Sequence, residues 1–479
     1  MLFLTGVIIV LLIIIVIKTM TFTSFQVKTE PVTLQEFGDE SAANLSKAIT
    51  FPAISYSIDS PIDTAAFKGF DNFLSEAYPL INSRLKKEFF SGFSMLYTWE
   101  GKNAELKPVI LMAHMDVVPP GDTVAWTKQP FSGENDGTYI WGRGTMDDKG
   151  ALISIHEAVE RLLAENYQPE RTFYLSFGHD EEIGGLKGAA VIASVLKERG
   201  IEAEFILDEG MVIALGMVPM IDIPVALIGT TEKGYLSVKL TVEMEGGHSM
   251  IPQKENAVSV LNEALYNILN NQMKARISEP VKDFIRYIGP EMPFYAKVIF
   301  ANTWLFKGII LNIYEGSSSG NALVRTTTAP TIINAGIKDN VIPTKAEAVI
   351  NFRILPGEKS SDVFRHLDDV ISDSRVKISV FEESNEPLPV SPSDVPGFKI
   401  ILSTIRQVYP EAIVAPTLAT GATDTRPYTD ISKNIYRFMP VITTSDDLKR
   451  NHGLDERTRI SDFIHGISFY YCLVKNTDK

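Results

Sequence analysis

The chain has 479 residues, 45% of them hydrophobic and 22% charged, which suits a folded globular protein of two domains with appendages. A formal net charge of −14 argues against nucleic acid as the main partner, because phosphate binding needs clustered Lys and Arg, and it favours a cation as cofactor. The single cysteine, Cys472, excludes an intramolecular disulfide and a cysteine zinc cluster, so any metal must be held by His, Asp and Glu.

The N-terminus is almost unbroken aliphatic sequence, "LFLTGVIIVLLIIIVI", closed by Lys18. It is slightly short of the roughly 20 residues that span a bilayer, and the following "KTMTF" extends it. No basic region precedes it and no small-residue cleavage site follows, so a membrane anchor is favoured over a cleaved signal. Either places the body outside the cytosol or in a lumen. The glycosylation acceptor "NLS" at Asn44 agrees with that placement. Residues 1–20 are thus read as anchor or signal segment and 21–42 as a linker.

From Ala43 strands and helices alternate. "PVILMAH" is an apolar run of buried-strand type. "MDDKGALISIHEAVERLLAEN" has a helical apolar face, with Asp147 or Asp148 at the N-cap. "RTFYLSF" and "AEFIL" read as strands, and "GAAVIASVLKERG" as a helix with Gly200 just past its end. This rhythm predicts an α/β catalytic domain with a mostly parallel sheet, over 43–232 and again over 386–479. Between them the texture changes. "YLSVKLTVEM" alternates, and the order β-α, then β-β-α-β, predicts a small inserted α+β, ferredoxin-like unit over 233–385. An aromatic-rich stretch at about 277–328 interrupts that unit and is expected to add helices over a groove. "IYEGSSSG" reads as a flexible loop.

Acids and imidazoles collect at predicted strand ends. "AHMD" carries His114 and Asp116, "GRGTMDDKG" carries Asp147 and Asp148, "GHDEEIGG" carries Glu181 and Glu182, "LDEG" carries Asp208, and "RNHGLDE" carries His452. In a parallel sheet the carboxyl ends of the strands open on one edge, so these loops converge. So much negative charge in one place needs cations. Imidazole and carboxylate without thiolate suit two Zn2+, with Co2+ or Mn2+ as alternatives. Asp147 would bridge the pair, His114 and Asp208 would hold one ion, and Glu182 and His452 the other. Asp116 would receive the second ring N–H of His114 and fix its tautomer. Glu181 is left as general base, taking a proton from the activated water and returning it to a leaving nitrogen. His156 and His179 are read as structural.

The wording and order of "AHMDVVP", "GRGTMDDKG", "GHDEEIGG", "LDEG" and "NHG" resemble the M20 metallopeptidase family of di-zinc carboxypeptidases and aminoacylases, from about Ala43 to the end. The resemblance implies the roles just given and makes the inserted unit the family's lid domain. It further implies that His248 of "GGHSM" polarises the scissile carbonyl, often from the partner subunit of a homodimer. Arg353 of "FRILPG" and Arg426 of "GATDTRPY" resemble elements that hold a substrate carboxylate, and Asn340 of "DNVIP" would face substrate. The apolar N-terminus and interrupted lid resemble the membrane-bound or secreted branch, with Gly-Xaa carboxypeptidase and N-fatty-acyl-amino-acid hydrolases. The expected function is hydrolysis of an amide bond next to a free carboxylate, in short peptides or in N-acyl amino acids, with condensation open to the same groups. The contrary expectation is an inactive binding protein that keeps the fold.

Overall fold

The large sheet is parallel at its centre, and that arrangement brings the scattered motifs together. In the computed structural model, which describes residues 2–32, 37–382 and 384–478, the strands Phe173–Gly178, Val109–His114, Phe205–Asp208 and Ile435–Arg437 lie side by side and run parallel. Residues 33–36 of the expected linker and residue 383 of the inserted unit lie outside the described residues. Val109–His114 and Phe173–Gly178 are buried along their whole length, as strands covered on both faces must be. One face is covered by Lys149–Ala164 and the C-terminal helix Ile460–Asn476, the other by Ala189–Glu198. Leu111 and Leu175 are fully buried, and truncating either to Ala costs about 2–5 kcal/mol. The helix Lys149–Ala164 takes Asp148 as its N-cap residue without a side-chain cap, because that carboxylate is turned toward the backbone N–H of His114, 3.3 Å away. The edges of the sheet add antiparallel pairs, so the whole is mixed with a parallel heart.

The second sheet has the order Thr327–Ala335, Lys345–Ile354, Gly234–Glu243, Val376–Val380, with every neighbour antiparallel. Ala257–Asn270 and Ser360–Ile371 pack on it around Leu236, Leu240, Ile350 and Phe352. In chain order this is β-α-β-β-α-β, the ferredoxin-like pattern expected from the alternating texture. Asn256 caps Ala257–Asn270 through a capping box with Ser259.

The insertion, expected to add helices over a groove, does form helices. Its helix Glu279–Ile288 turns Val281, Ile285 and Ile288 into the core of the large-sheet domain, not of the second sheet. Tyr287 stands between Phe25 and Phe398, at ring-centroid distances of 5.1 and 5.7 Å, and its hydroxyl donates to the Ser393 carbonyl at 2.8 Å. The i, i+4 apolar spacing was readable, but which core it served depended on the chain's route. "IYEGSSSG" is not a loop throughout: it ends the helix Thr303–Glu315 and begins the helix Ser318–Val324, which Ser317 caps through the N–H of Gly320.

Asn44 sits in the helix Asp39–Ile49 and its side-chain amide donates to Glu157 at 2.8 Å. Where the chain passes from Val225–Glu232 into Gly234–Glu243, Glu232 is fully buried and pairs with Arg437 at 2.6 Å. Thr423 and Thr425 donate to the same carboxylate at 3.0 and 2.9 Å, which ties the "GATDTR" loop to the crossing point.

Candidate metal centre and active site

His114 ends its strand opposite Gly178, and the acids follow directly after. The carboxylate of Asp147 lies between two imidazoles: His114 Nε2 is 2.9 Å from Oδ1 and His452 Nε2 is 3.1 Å from Oδ2. His452 also lies 3.3 Å from Glu182 Oε2. Two groups able to hold an ion result, His114–Asp147–Glu209 and Asp147–Glu182–His452, and they share Asp147. Asp147 is common to the two groups, and Glu182 and His452 fall in the same one.

The third member of the first group is Glu209, whose Oε1 is 3.7 Å from His114 Nε2, where the sequence reading placed Asp208. Asp208 is the last residue of its strand and is buried, with Oδ2 lacking a hydrogen-bond partner. Burial pushes its carboxyl up to about 6. Both adjacent acids are buried, and the contact with His114 Nε2 is made by Glu209.

Asp116 is fully buried and does more than orient His114. His114 Nδ1 donates to the backbone carbonyl of Asp116 at 2.9 Å, while the carboxylate is 3.4 Å away. That carboxylate accepts the backbone N–H groups of Glu181 and Glu182, at 3.1 and 3.2 Å. Carbonyl and carboxylate of Asp116 both face His114 Nδ1, and the carboxylate also holds the short turn that carries both glutamates.

Three further acids support the centre. Glu456, fully buried, pairs with Arg143 at 2.5 Å and accepts the backbone N–H groups of Gly144, Met146 and Asp147, at 2.9, 2.8 and 3.3 Å. It thereby shapes the loop that delivers Asp147. Asp424 is buried against Gly178 and Gly185, where an added Cβ would stand 2.4 and 2.0 Å from its carboxylate oxygens. Asp148 is fully buried. Glu209, Asp424 and Glu456 were not singled out in the sequence, although each lies inside a quoted motif.

The electrostatics follow from crowding. Burial drives the Glu181 carboxyl well above its usual range; His114 opposes this, and Asp424, Asp147 and Glu182 add to it. Burial likewise raises Glu209, Asp148 and Asp424. Burial disfavours the charged form of His114, but its contacts with Asp116 and Asp147 prevail and hold the ring above its ordinary range. His452, half exposed, is raised to about 10 by Asp147 and then Glu182. Asp147 is held low by both imidazoles against the effect of burial. Buried carboxylates this dense must take up protons or cations. The unpartnered buried oxygens Glu182 Oε1 and Asp208 Oδ2 show donors missing from the same place. The donor set fits a pair of divalent ions.

The remaining sequence-derived residues lie outside the two ligand groups. His248 is exposed on the strand Gly247–His248, and its Nδ1 accepts the Met250 N–H at 3.0 Å. Asn340 lines the same hollow as His248 at the end of the second sheet, together with Ile342 and Thr344. The Arg353 guanidinium lies 4.9 Å from the Tyr235 ring centroid. Arg426 donates to the Glu386 carbonyl at 2.8 Å. His156 is buried, donates from Nδ1 to the Leu152 carbonyl at 2.9 Å, and is lowered to about 4 by burial. His179 is paired with Ser94 at 2.6 Å.

Residues 110–476 match the family model described as Peptidase family M20/M25/M40. The chain belongs to this family. It is 42% identical to "Probable carboxypeptidase S-like 2" of Dictyostelium discoideum, over 98% of this chain and 92% of that one. It is 40% identical to "N-fatty-acyl-amino acid synthase/hydrolase PM20D1" of Xenopus tropicalis, over 91% of this chain and 85% of that one. Among solved structures, an M20 family metallo-carboxypeptidase from Sulfolobus solfataricus shares the fold at a TM-score of 0.63 and 18% identity, covering 91% of this chain and 99% of that one. This M20 chain is an enzyme acting on amide bonds. The inactive-binder expectation fails on that ground.

Proposed function

We propose that this M20 enzyme cleaves an amide bond adjacent to a free carboxylate, at a centre that holds two divalent metal ions, with zinc the first choice. The observation that carries the reading is the carboxylate of Asp147, whose two oxygens face two different imidazoles in two different ligand groups. His114, Asp147 and Glu209 would hold one ion, and Asp147, Glu182 and His452 the other. Bound there, the ions supply Lewis acidity toward the scissile carbonyl and lower the pKa of water. Glu181 is the base: it takes the proton of the attacking water and delivers it to the leaving nitrogen. Asp116 positions Glu181 through the backbone. The second-sheet unit acts as a lid bearing His248, Asn340 and Arg353, and Arg426 lies at the crossing from the large-sheet domain. His248 would act on the carbonyl from a closed lid or from the lid of a partner subunit.

The substrate is a short peptide that loses its C-terminal residue, supported by the similarity to the carboxypeptidase S-like protein. N-fatty-acyl amino acids are the second reading, supported by the comparable similarity to the Xenopus enzyme. Both present an amide next to a carboxylate, which an Arg fork binds in bidentate fashion. The helix Leu2–Met20 is long and apolar enough to cross a membrane and is almost wholly exposed. We take it as an anchor, with the signal peptide as the alternative. The test is metal content together with turnover of dipeptides and of N-acyl amino acids of graded chain length. Glu181→Gln should keep two ions per chain and lose turnover on every substrate. Full turnover in that variant removes Glu181 as base, and purified enzyme without bound metal removes the centre.

A further inference from the structure

The helix Thr303–Glu315 is apolar on both sides. Ile310 is buried and Phe306, Leu311 and Tyr314 are partly buried toward the body. The opposite side exposes Trp304, Leu305, Ile309 and Ile313, spaced so that they form one stripe. The preceding helix Phe294–Ala301 exposes Phe294 and Tyr295 beside it. An exposed apolar stripe opposite a buried one belongs against another apolar surface or in lipid, and this helix lies at the protein surface.

Its location says which. The fully buried Asn302 sits at the bend between the two helices and donates from Nδ2 to Thr19 Oγ1, at 3.2 Å, in the last turn of the N-terminal helix. Lys18 lies 5.8 Å from the Trp304 ring centroid. Phe22 packs on Gly289, where an added Cβ would meet its ring at 2.5 Å. The stripe thus begins where the long apolar helix leaves the body. A 19-residue helix rises roughly 27 Å, close to the hydrocarbon thickness of a bilayer, so its Lys18 end and the bend reach the same headgroup level. Trp304 and Tyr295 are of the aromatic types that favour that level, and exposed Lys307 suits anionic lipid. The two helices do not form a span of their own: they are bent by 114°, and Ala296, Phe300 and Ile310 are committed to the body.

We propose that the Phe294–Ala301 and Thr303–Glu315 pair is a monotopic membrane-contact surface that lies in the outer part of the bilayer beside the anchor and sets the orientation of the catalytic body on it. This rests on the reading of the N-terminal helix as an anchor, and deepens it.

The test uses the full chain in phosphatidylcholine–phosphatidylserine vesicles. Val10→Cys in the anchor, Ile309→Cys in the stripe and Val124→Cys at an isolated exposed site are each labelled with an environment-sensitive fluorophore. The inference expects blue-shifted emission and loss of quenching by aqueous iodide at positions 10 and 309, and full quenching at 124. Shielding at 10 with open access at 309 overturns the inference and leaves the anchor standing. Open access at both overturns the anchor reading and the inference with it. Shielding at 309 that disappears when protein is diluted at constant lipid assigns the stripe to a second copy of the chain and also overturns the inference.

Discussion

The carboxylate of Asp116 accepts the backbone N–H of Glu181 at 3.1 Å, so the turn after one central strand is tied to the turn after its neighbour. The same carboxylate takes the N–H of Glu182. Replacing it frees two buried donors and lets both glutamates drift. Asp116→Ala should therefore weaken metal binding or turnover by about 10–100-fold, in the manner of other groups that orient ligands. Metal titration and kcat measured on one preparation check this; a variant with unchanged values for both would show that the turn holds itself.

Asp208 and Glu209 are chemically alike neighbours, and geometry separates them. Glu209→Gln should lower bound metal from two ions toward one, because Glu209 faces His114. Asp208→Asn should retain both ions, with only a modest change in stability. Metal analysis of the two variants after dialysis decides between them, and the reverse pattern restores Asp208 as the ligand.

Arg143 and Glu456 are a buried ion pair that also anchors three backbone N–H groups of the Asp147 loop. Glu456→Ala leaves a buried guanidinium without its partner, which costs about 3–5 kcal/mol. The urea midpoint of the metal-free protein should fall accordingly. A midpoint within error of the parent would mean that water replaces the carboxylate.

The imidazoles that would ligate metal are held protonated in its absence: His452 is raised to about 10 by Asp147 and Glu182, and His114 is raised as well. A ring must be neutral to ligate, so metal uptake at neutral pH should release protons and tighten as pH rises. Calorimetry in buffers of different ionisation enthalpy measures the release, and enthalpies independent of buffer would refute it. The raised His452 value also stabilises the metal-free fold. That contribution is complete below its unfolded pKa of about 6.5 and fades as pH climbs through about 10.

Much of the centre was legible in the sequence because its chemistry is local and its scaffold is regular. Apolar runs such as "PVILMAH" end in polar residues, and a parallel sheet puts those ends on one edge. That reasoning placed His114, Asp147, Glu182 and His452 together, and the structure groups them. Composition likewise excluded thiolate ligands, and β-α-β-β-α-β order in the inserted segment announced its sheet.

The tertiary structure decided what depends on direction rather than on order. Asp208 and Glu209 are adjacent acids, both buried, and the contact with His114 is made by Glu209. Asp116 acts through backbone N–H groups that no residue pattern displays. The apolar stretch around Tyr287 had a readable periodicity, yet it fills the core of the large-sheet domain because the chain returns there, beside Phe25 and Phe398. A sequence states which surfaces must be hidden from water; only the path of the chain determines what hides them.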